Sequence, residues 1–117
     1  MGMLNGDHFA MVGDRIVSVH FRQGLDTNLL SMSGGETLYE LRVDGVVADT
    51  HKHGTFPRSG TLFATPEVNG AKTSIQVGVK PGFFGVKYNL LVGNNDVPLK
   101  ACSEAEIKSL WHKKSIG

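Results

Sequence analysis

Disulfides, membrane spans and export signals are missing from this sequence of 117 residues. Its one cysteine, Cys102, cannot form an intrachain disulfide. No stretch reaches the ~18 consecutive apolar residues that a membrane-spanning helix requires, and the first residues lack the basic and apolar regions of a signal peptide. A lone thiol without an export signal is typical of a reducing compartment, so we expect a cytoplasmic protein without a membrane partner.

A large excess of charge of either sign is also missing. Twelve basic residues stand against 11 acidic residues, and the net charge is +1. Proteins that bind nucleic acids concentrate positive charge, so we expect no nucleic-acid partner. The length suits one domain that spans residues 1–117.

The common catalytic motifs are absent as well. Residues 78–82 lack the spacing of a phosphate-binding loop, and the G-x-S-x-G motif of hydrolases does not occur. We therefore expect neither catalytic residues nor a cofactor.

The sequence is rich in glycine, with 15 residues, and several of its segments alternate apolar with polar side chains. The alternation predicts half-buried β-strands. Their apolar faces are Val17, Val19 and Phe21; Tyr39, Leu41 and Val43; Thr73, Ile75, Val77 and Val79; and Val86, Tyr88, Leu90 and Val92. Asp44-Gly45 and Asn69-Gly70 tolerate positive φ and predict hairpin turns. Residues 80–82 predict a further turn, and residues 96–100 predict a return strand.

One helix is predicted, at about residues 103–113. Ser103 and Glu106 have the spacing of a capping box, and Ile107, Leu110 and Trp111 form an apolar stripe that we expect to dock within the same chain. Together the patterns predict an all-β fold: a single antiparallel β-sandwich of seven to nine strands with a short C-terminal α-helix.

Two candidate sites follow from the side chains. Asp49, His51 and His53 share one face of a predicted strand, and imidazole with carboxylate suits zinc, iron or nickel. Cupin-type metal sites begin in this way, but residues 54–60 contain no glutamate to complete one, so a solvated strand edge is the competing interpretation. Phe83 and Phe84 are adjacent aromatic residues on a strand, where one must face outward. They form either a patch for a protein partner or two covered side chains.

An internal repeat suggests a family. Tyr39-x-Leu41-x-Val43 recurs as Tyr88-x-Leu90-x-Val92. The wider motifs are His20-Phe21-x-x-Gly24, Leu41-x-Val43-Asp44-Gly45, Thr73-x-Ile75-x-Val77 and Gly85-x-x-Tyr88-x-Leu90-x-Val92. This order resembles the repeat of the Fas apoptotic inhibitory molecule family over about residues 15–100. The resemblance implies a compact β-sandwich that acts through protein contacts and has no catalytic residues.

We therefore expect a non-enzymatic module of the β-sandwich type that binds a protein partner, with self-association into a homo-oligomer left open. The alternative is a small cupin-like metal-dependent enzyme, or a metal-binding protein, centred on His51 and His53.

Overall fold

The strands form where the apolar residues alternate. The computed structural model describes residues 6–24, 36–53, 59–82 and 85–116. Its strands are β1 (Gly6–Val12), β2 (Arg15–Gly24), β3 (Glu36–Val43), β4 (Val46–His53), β5 (Gly60–Ala64), β6 (Glu67–Val68), β7 (Ala71–Lys72), β8 (Ile75–Gly82), β9 (Gly85–Val92), β10 (Asn95–Val97) and β11 (Lys100–Cys102), and helix α1 (Glu104–Ile116) follows. These ranges contain eleven strands instead of the seven to nine expected, because four of them are only two or three residues long and are too short to carry an alternating pattern.

The longer strands form two antiparallel sheets. The first sheet has the order β11-β1-β2-β3-β4, and the second sheet has the order β10-β9-β8-β5, while β6 and β7 pair with each other. The expected all-β fold with a short C-terminal helix is confirmed.

The two sheets share one apolar core. The buried residues that face it from the first sheet are Ala10, Val12, Val17, Val19, Phe21, Tyr39 and Leu41; from the second sheet they are Leu62, Ile75, Val77, Val79 and Leu90. The predicted apolar faces of β2, β8 and β9 therefore have the correct register. Val43 is an exception, because it is only half-buried. The other face of the first sheet, which we call the outer face, is turned away from this core.

The two predicted hairpin turns are confirmed. Asp44 and Gly45 have φ angles of 53° and 86°, and Asn69 and Gly70 have φ angles of 51° and 82°. Asp44 also ties its hairpin to β2, since its carboxylate accepts from Arg15 Nη1 at 2.9 Å and from Ile16 N at 2.9 Å.

Residues 80–82 form no turn, because they belong to β8 and Gly82 pairs with Gly85. The last described pair between β5 and β8 joins Gly60 to Val79. Pro81 lies two residues further along β8, so its missing N–H costs no described hydrogen bond to β5.

The prediction of one return strand at residues 96–100 is wrong, because these residues are divided between a strand of the second sheet and a strand of the first. β10 ends at Val97, Pro98 follows, and β11 begins at Lys100 beside β1. Residues 72–79 are divided as well, since Lys72 belongs to β7 and β8 begins at Ile75.

Helix α1 covers part of the outer face of the first sheet. The predicted capping box is present: Glu106 N donates to Ser103 Oγ at 3.1 Å, and Ser103 N donates to Glu106 Oε1 at 3.2 Å. Ile107 is buried, with 1% of its surface exposed, and Leu110 and Trp111 are half-buried. Helix α1, in this described part of the chain, does not have the length and apolar character needed to cross a membrane.

Candidate functional site

Two depressions flank α1 on the outer face of the first sheet. On the side of β2 and β3, adjoining cavities of about 500 and 300 Å³ share four lining residues. We name this region the polar cleft and define it by those residues, Asp7, His20, Arg22 and Glu104. On the side of β1 and β11, a cavity of about 440 Å³ is lined by Phe9, Lys100, Ala105, Leu110 and Lys113, among others. We name it the apolar groove.

Strand register explains why the polar residues of the cleft meet. Asp7 in β1 pairs with His20 in β2 on one side and with Cys102 in β11 on the other. Side chains alternate across a strand, so His20 and Arg22 must face outward once Val19 and Phe21 face the core. The sheet therefore gathers these side chains beneath the first turn of α1.

Asp7 and His20 form the most deeply placed polar pair of the cleft. His20 Nδ1 lies 3.0 Å from Asp7 Oδ1, and only 5% of the Asp7 side chain and 18% of the His20 side chain are exposed. An ionised carboxylate can only accept a hydrogen bond. The proton therefore lies on Nδ1, and Nε2 is the ring nitrogen left for another molecule.

Two further carboxylates of this region are held by cations. Glu40 Oε1 accepts from Arg42 Nη2 at 2.6 Å, and Arg42 also lies 5.4 Å from the centroid of the Trp111 ring. Glu104 accepts from Lys108 at 2.9 Å, and this hydrogen bond holds the pKa of Glu104 below its usual range. These contacts compensate the charges of Glu40 and Glu104.

Arg22 differs from these charged neighbours. None of the described residues forms an ion pair with it, although it lines both cavities of the polar cleft. Its guanidinium is exposed to solvent at the mouth of the cleft.

Cys102 borders the same cleft but is poorly suited to nucleophilic chemistry. Burial raises the pKa of its thiol, and the nearby carboxylates of Asp7 and Glu106 raise it further. The thiolate is the reactive form, so these surroundings suppress the reactivity of Cys102.

The apolar groove has a different chemistry. Phe9 and Leu110 are half-buried in it, and Lys100 and Lys113 contribute positive charge. Glu106 also lines it, but one of its carboxylate oxygens accepts from the Ser103 N–H of the capping box. Met11 lies two residues beyond Phe9 on the same face of β1 and is 56% exposed, so apolar surface continues past the groove.

Two of the three proposed metal ligands, Asp49 and His51, occupy the core-facing side of β4. Asp49 pairs with Leu41 and His51 pairs with Tyr39. The Asp49 carboxylate accepts from Thr50 N and from Phe63 N, both at 2.9 Å, so it joins β4 to β5. Within residues 6–24, 36–53, 59–82 and 85–116, no group of three or more His, Cys, Asp or Glu residues could hold a metal ion. The side chain of His53 lies outside the described residues.

The predicted aromatic partner patch, Phe83 and Phe84, also lies outside the described residues. Sequence reasoning missed the polar cleft and the apolar groove, because both depend on which strands are neighbours. A partial signal was present: Ile16, Ser18, His20 and Arg22 share the face of β2 opposite Val17 and Val19, and an amphipathic helix needs such a face to cover.

Comparisons with protein-family models, with curated proteins and with solved structures found no match. The resemblance to the Fas apoptotic inhibitory molecule family therefore stays a prediction.

Proposed function

We propose that this chain is a non-enzymatic binding module that takes an acidic, partly apolar segment of a partner protein into the apolar groove beside α1. The observation that carries the proposal is the joint presence of half-buried Phe9 and Leu110 and two lysines in one depression, with exposed Met11 extending the apolar surface beside it. Exposed apolar surface with a polar rim is typical of protein interaction sites.

The apolar and the charged side chains of the groove favour binding of a partner in different ways. Apolar area that a partner side chain covers on Phe9, Leu110 and Met11 contributes ~25 cal/mol per Å². Lys100 and Lys113 favour carboxylates on the partner, because complementary charge increases the association rate and selects the partner. The best ligand is therefore a large apolar residue with Asp or Glu beside it.

The groove is well suited to a rigid binding mode. One wall is β1, which lies between β2 and β11, and the other is α1, whose first turn is stabilised by the capping box and whose Ile107 is buried. A preformed site avoids part of the entropy cost of ordering a surface on binding.

The resemblance to the Fas apoptotic inhibitory molecule family agrees with this proposal, because it too implies action through protein contacts. The single thiol of Cys102 fits a reducing compartment, and on that ground we propose a cytoplasmic location.

The test is selection of peptides from a random library displayed on phage, with the purified protein immobilised. We expect enriched peptides to combine an aromatic or large aliphatic residue with flanking Asp or Glu. The double variant Lys100→Glu/Lys113→Glu should instead select flanking Lys or Arg. The matched control is Lys80→Glu/Lys87→Glu, which changes the same number of exposed lysines on the second sheet and should select the same peptides as the unaltered protein.

Three results would overturn the proposal. One is the absence of any enriched sequence class, and another is a class that the Lys100 and Lys113 changes leave unaltered. The third is a dimer in solution that Phe9→Ser dissociates, because the groove would then be occupied by a second copy of this chain.

A further inference from the structure

We propose that Asp49 keeps the free edges of β4 and β5 from pairing with a second copy of this chain. The two strands are outermost in their sheets, since β4 ends the order of the first sheet and β5 ends that of the second. They approach each other closely, because a Cβ atom at Gly60 would lie 3.3 Å from His51 Nδ1. We call the line along which they meet the edge seam. It lies at the opposite edge of the first sheet from the apolar groove, so the proposal stands independently of the proposed function.

An edge strand offers hydrogen bonds to any strand that approaches it. In an antiparallel ladder only alternate residues direct their N–H groups at the paired strand, so the outermost strand carries a row of unpaired donors and acceptors. A second copy of the chain brings a strand with the same unpaired groups. Edges of this kind therefore pair with one another unless something in the fold prevents it.

The Asp49 carboxylate occupies one such donor on each strand. Its Oδ1 atom accepts from Thr50 N at 2.9 Å, and its Oδ2 atom accepts from Phe63 N at 2.9 Å. One side chain thus uses both oxygens to cap an N–H of β4 and an N–H of β5. A backbone carbonyl that replaced it would be a weaker acceptor, because hydrogen bonds to an ionised group are stronger than those to a neutral one. An incoming strand must therefore break two good hydrogen bonds before it can form its own.

A β-bulge lies directly before Asp49 on β4. Val47 pairs with Arg42, and Asp49 pairs with Leu41. Ala48 therefore has no partner on β3. A bulge bends and twists the strand that contains it, and a twisted edge is a poor template for a further strand. The bulge and the carboxylate thus act on the same stretch of the edge.

The surface along the edge seam indicates what would pair there. Three large apolar side chains on these strands are strongly exposed, Val46 by 70%, Val47 by 47% and Phe63 by 53%. Among the described residues only Met11 is a further case. Exposed apolar edge strands are the ones most prone to associate, and a two-fold contact places the same patch on both molecules. The partner that an uncapped seam would take is therefore a second copy of this chain.

The experiment is sedimentation velocity of the full chain over a wide range of protein concentration. Asp49→Ala should form dimers or larger species, beyond any present in the unaltered protein, and their fraction should rise with concentration. Asp49→Asn keeps the shape of the side chain but only one acceptor oxygen, so it should associate less than Asp49→Ala. The matched control is Asp96→Ala, which removes an exposed carboxylate from the edge strand β10 and should behave as the unaltered protein does.

Two further measurements separate edge pairing from a general loss of stability. Hydrogen exchange of Asp49→Ala at low concentration, followed by NMR, should be faster at Thr50 N and Phe63 N. It should be unchanged at Leu62 N, which is directed at β8 because the N–H of Phe63 is directed away from it. Adding Thr50→Lys to Asp49→Ala should reduce the association to the level of the unaltered protein, because lysine on an edge strand opposes pairing.

Three results would overturn the proposal. One is a folded Asp49→Ala variant that associates no more than the unaltered protein, and another is equal association of Asp96→Ala. The third is association of Asp49→Ala that Thr50→Lys leaves unaltered. If Asp49→Ala does not fold, a folded Asp49→Asn variant decides, and the proposal fails if it associates no more than the unaltered protein.

Discussion

His8 couples the stability of this fold to pH through a half-buried ring. It lies on the core-facing side of β1, its ring centroid is 4.8 Å from that of Tyr88, and its Nδ1 atom is buried without a hydrogen-bond partner among the described residues. Burial lowers the pKa of His8 from its ordinary value of 6.5, and the nearby carboxylate of Asp7 only partly opposes this effect. The folded state therefore favours the neutral ring.

We predict that the free energy of unfolding falls on acidification because of His8. Above about pH 6.5 the ring is neutral in both states and stability is complete. As the pH falls from there toward the lower pKa of the folded state, the unfolded chain gains a proton that the folded chain resists, so stability is lost. Urea unfolding at pH 7.5 and pH 5 should show a smaller loss for His8→Phe, which still stacks on Tyr88, than for the unaltered protein. Equal losses of unfolding free energy in the two proteins would contradict the prediction that His8 causes this pH dependence.

The two hairpin turns allow a test of how closely α1 packs on the first sheet. Gly45 and Gly70 occupy the same position in two similar turns, with φ angles of 86° and 82°. A Cβ atom at Gly45 would lie 3.1 Å from Trp111 Cδ2, whereas a Cβ atom at Gly70 would meet nothing within 4 Å. The two positions therefore share backbone strain and differ in one side-chain contact.

We predict that Gly70→Ala destabilises the protein by roughly 1–2 kcal/mol, the cost of a left-handed conformation with a side chain. Gly45→Ala should cost more, because α1 must also move away from the turn. Chemical denaturation of both variants measures the difference, and in a Trp111→Ala background the two costs should become equal. A Gly45→Ala variant as stable as Gly70→Ala in the native background would contradict the close packing of Trp111 on the turn.

Elements that depend on neighbouring residues are predictable from the sequence, and those that depend on strand partners are not. The turns at Asp44-Gly45 and Asn69-Gly70 and the capping box at Ser103 follow from local chemistry. β11 does not, since three residues adopt a strand only because β1 offers them a partner. The pairing of Asp7 with His20 is of the predictable kind, because the two-residue turn at Gly13-Asp14 joins β1 to β2 and so fixes their register.

At the level of the whole molecule, the stability of α1 is tied to that of the first sheet, whose outer face it partly covers. Ile107 is 1% exposed, whereas Glu106 and Lys108 on either side of it are exposed. The helix has 13 residues, close to the lower limit of ~12–15 residues at which isolated helices begin to form in water. Its stability therefore depends on the sheet beneath it.

We predict that Ile107→Ala lowers the free energy of unfolding by ~2–5 kcal/mol, because a buried aliphatic side chain is lost and a cavity remains. Lys108→Ala, at the next position, should change stability by no more than ~0.5 kcal/mol. Thermal unfolding should give the same midpoint at every protein concentration, since the helix docks on its own chain. A midpoint that rises with concentration would mean that the helix docks on a neighbouring molecule.

The pairing of β11 with β1 also sets the order in which the protein can assemble during synthesis. β1 to β4 follow one another as adjacent strands, so they can pair while later residues are still being translated. Asp7, however, meets its neighbour Cys102 only after every other strand has left the ribosome. Until then the edge of β1 stays open, and the nascent chain carries an unprotected strand of the kind that chaperones shield and that aggregates recruit.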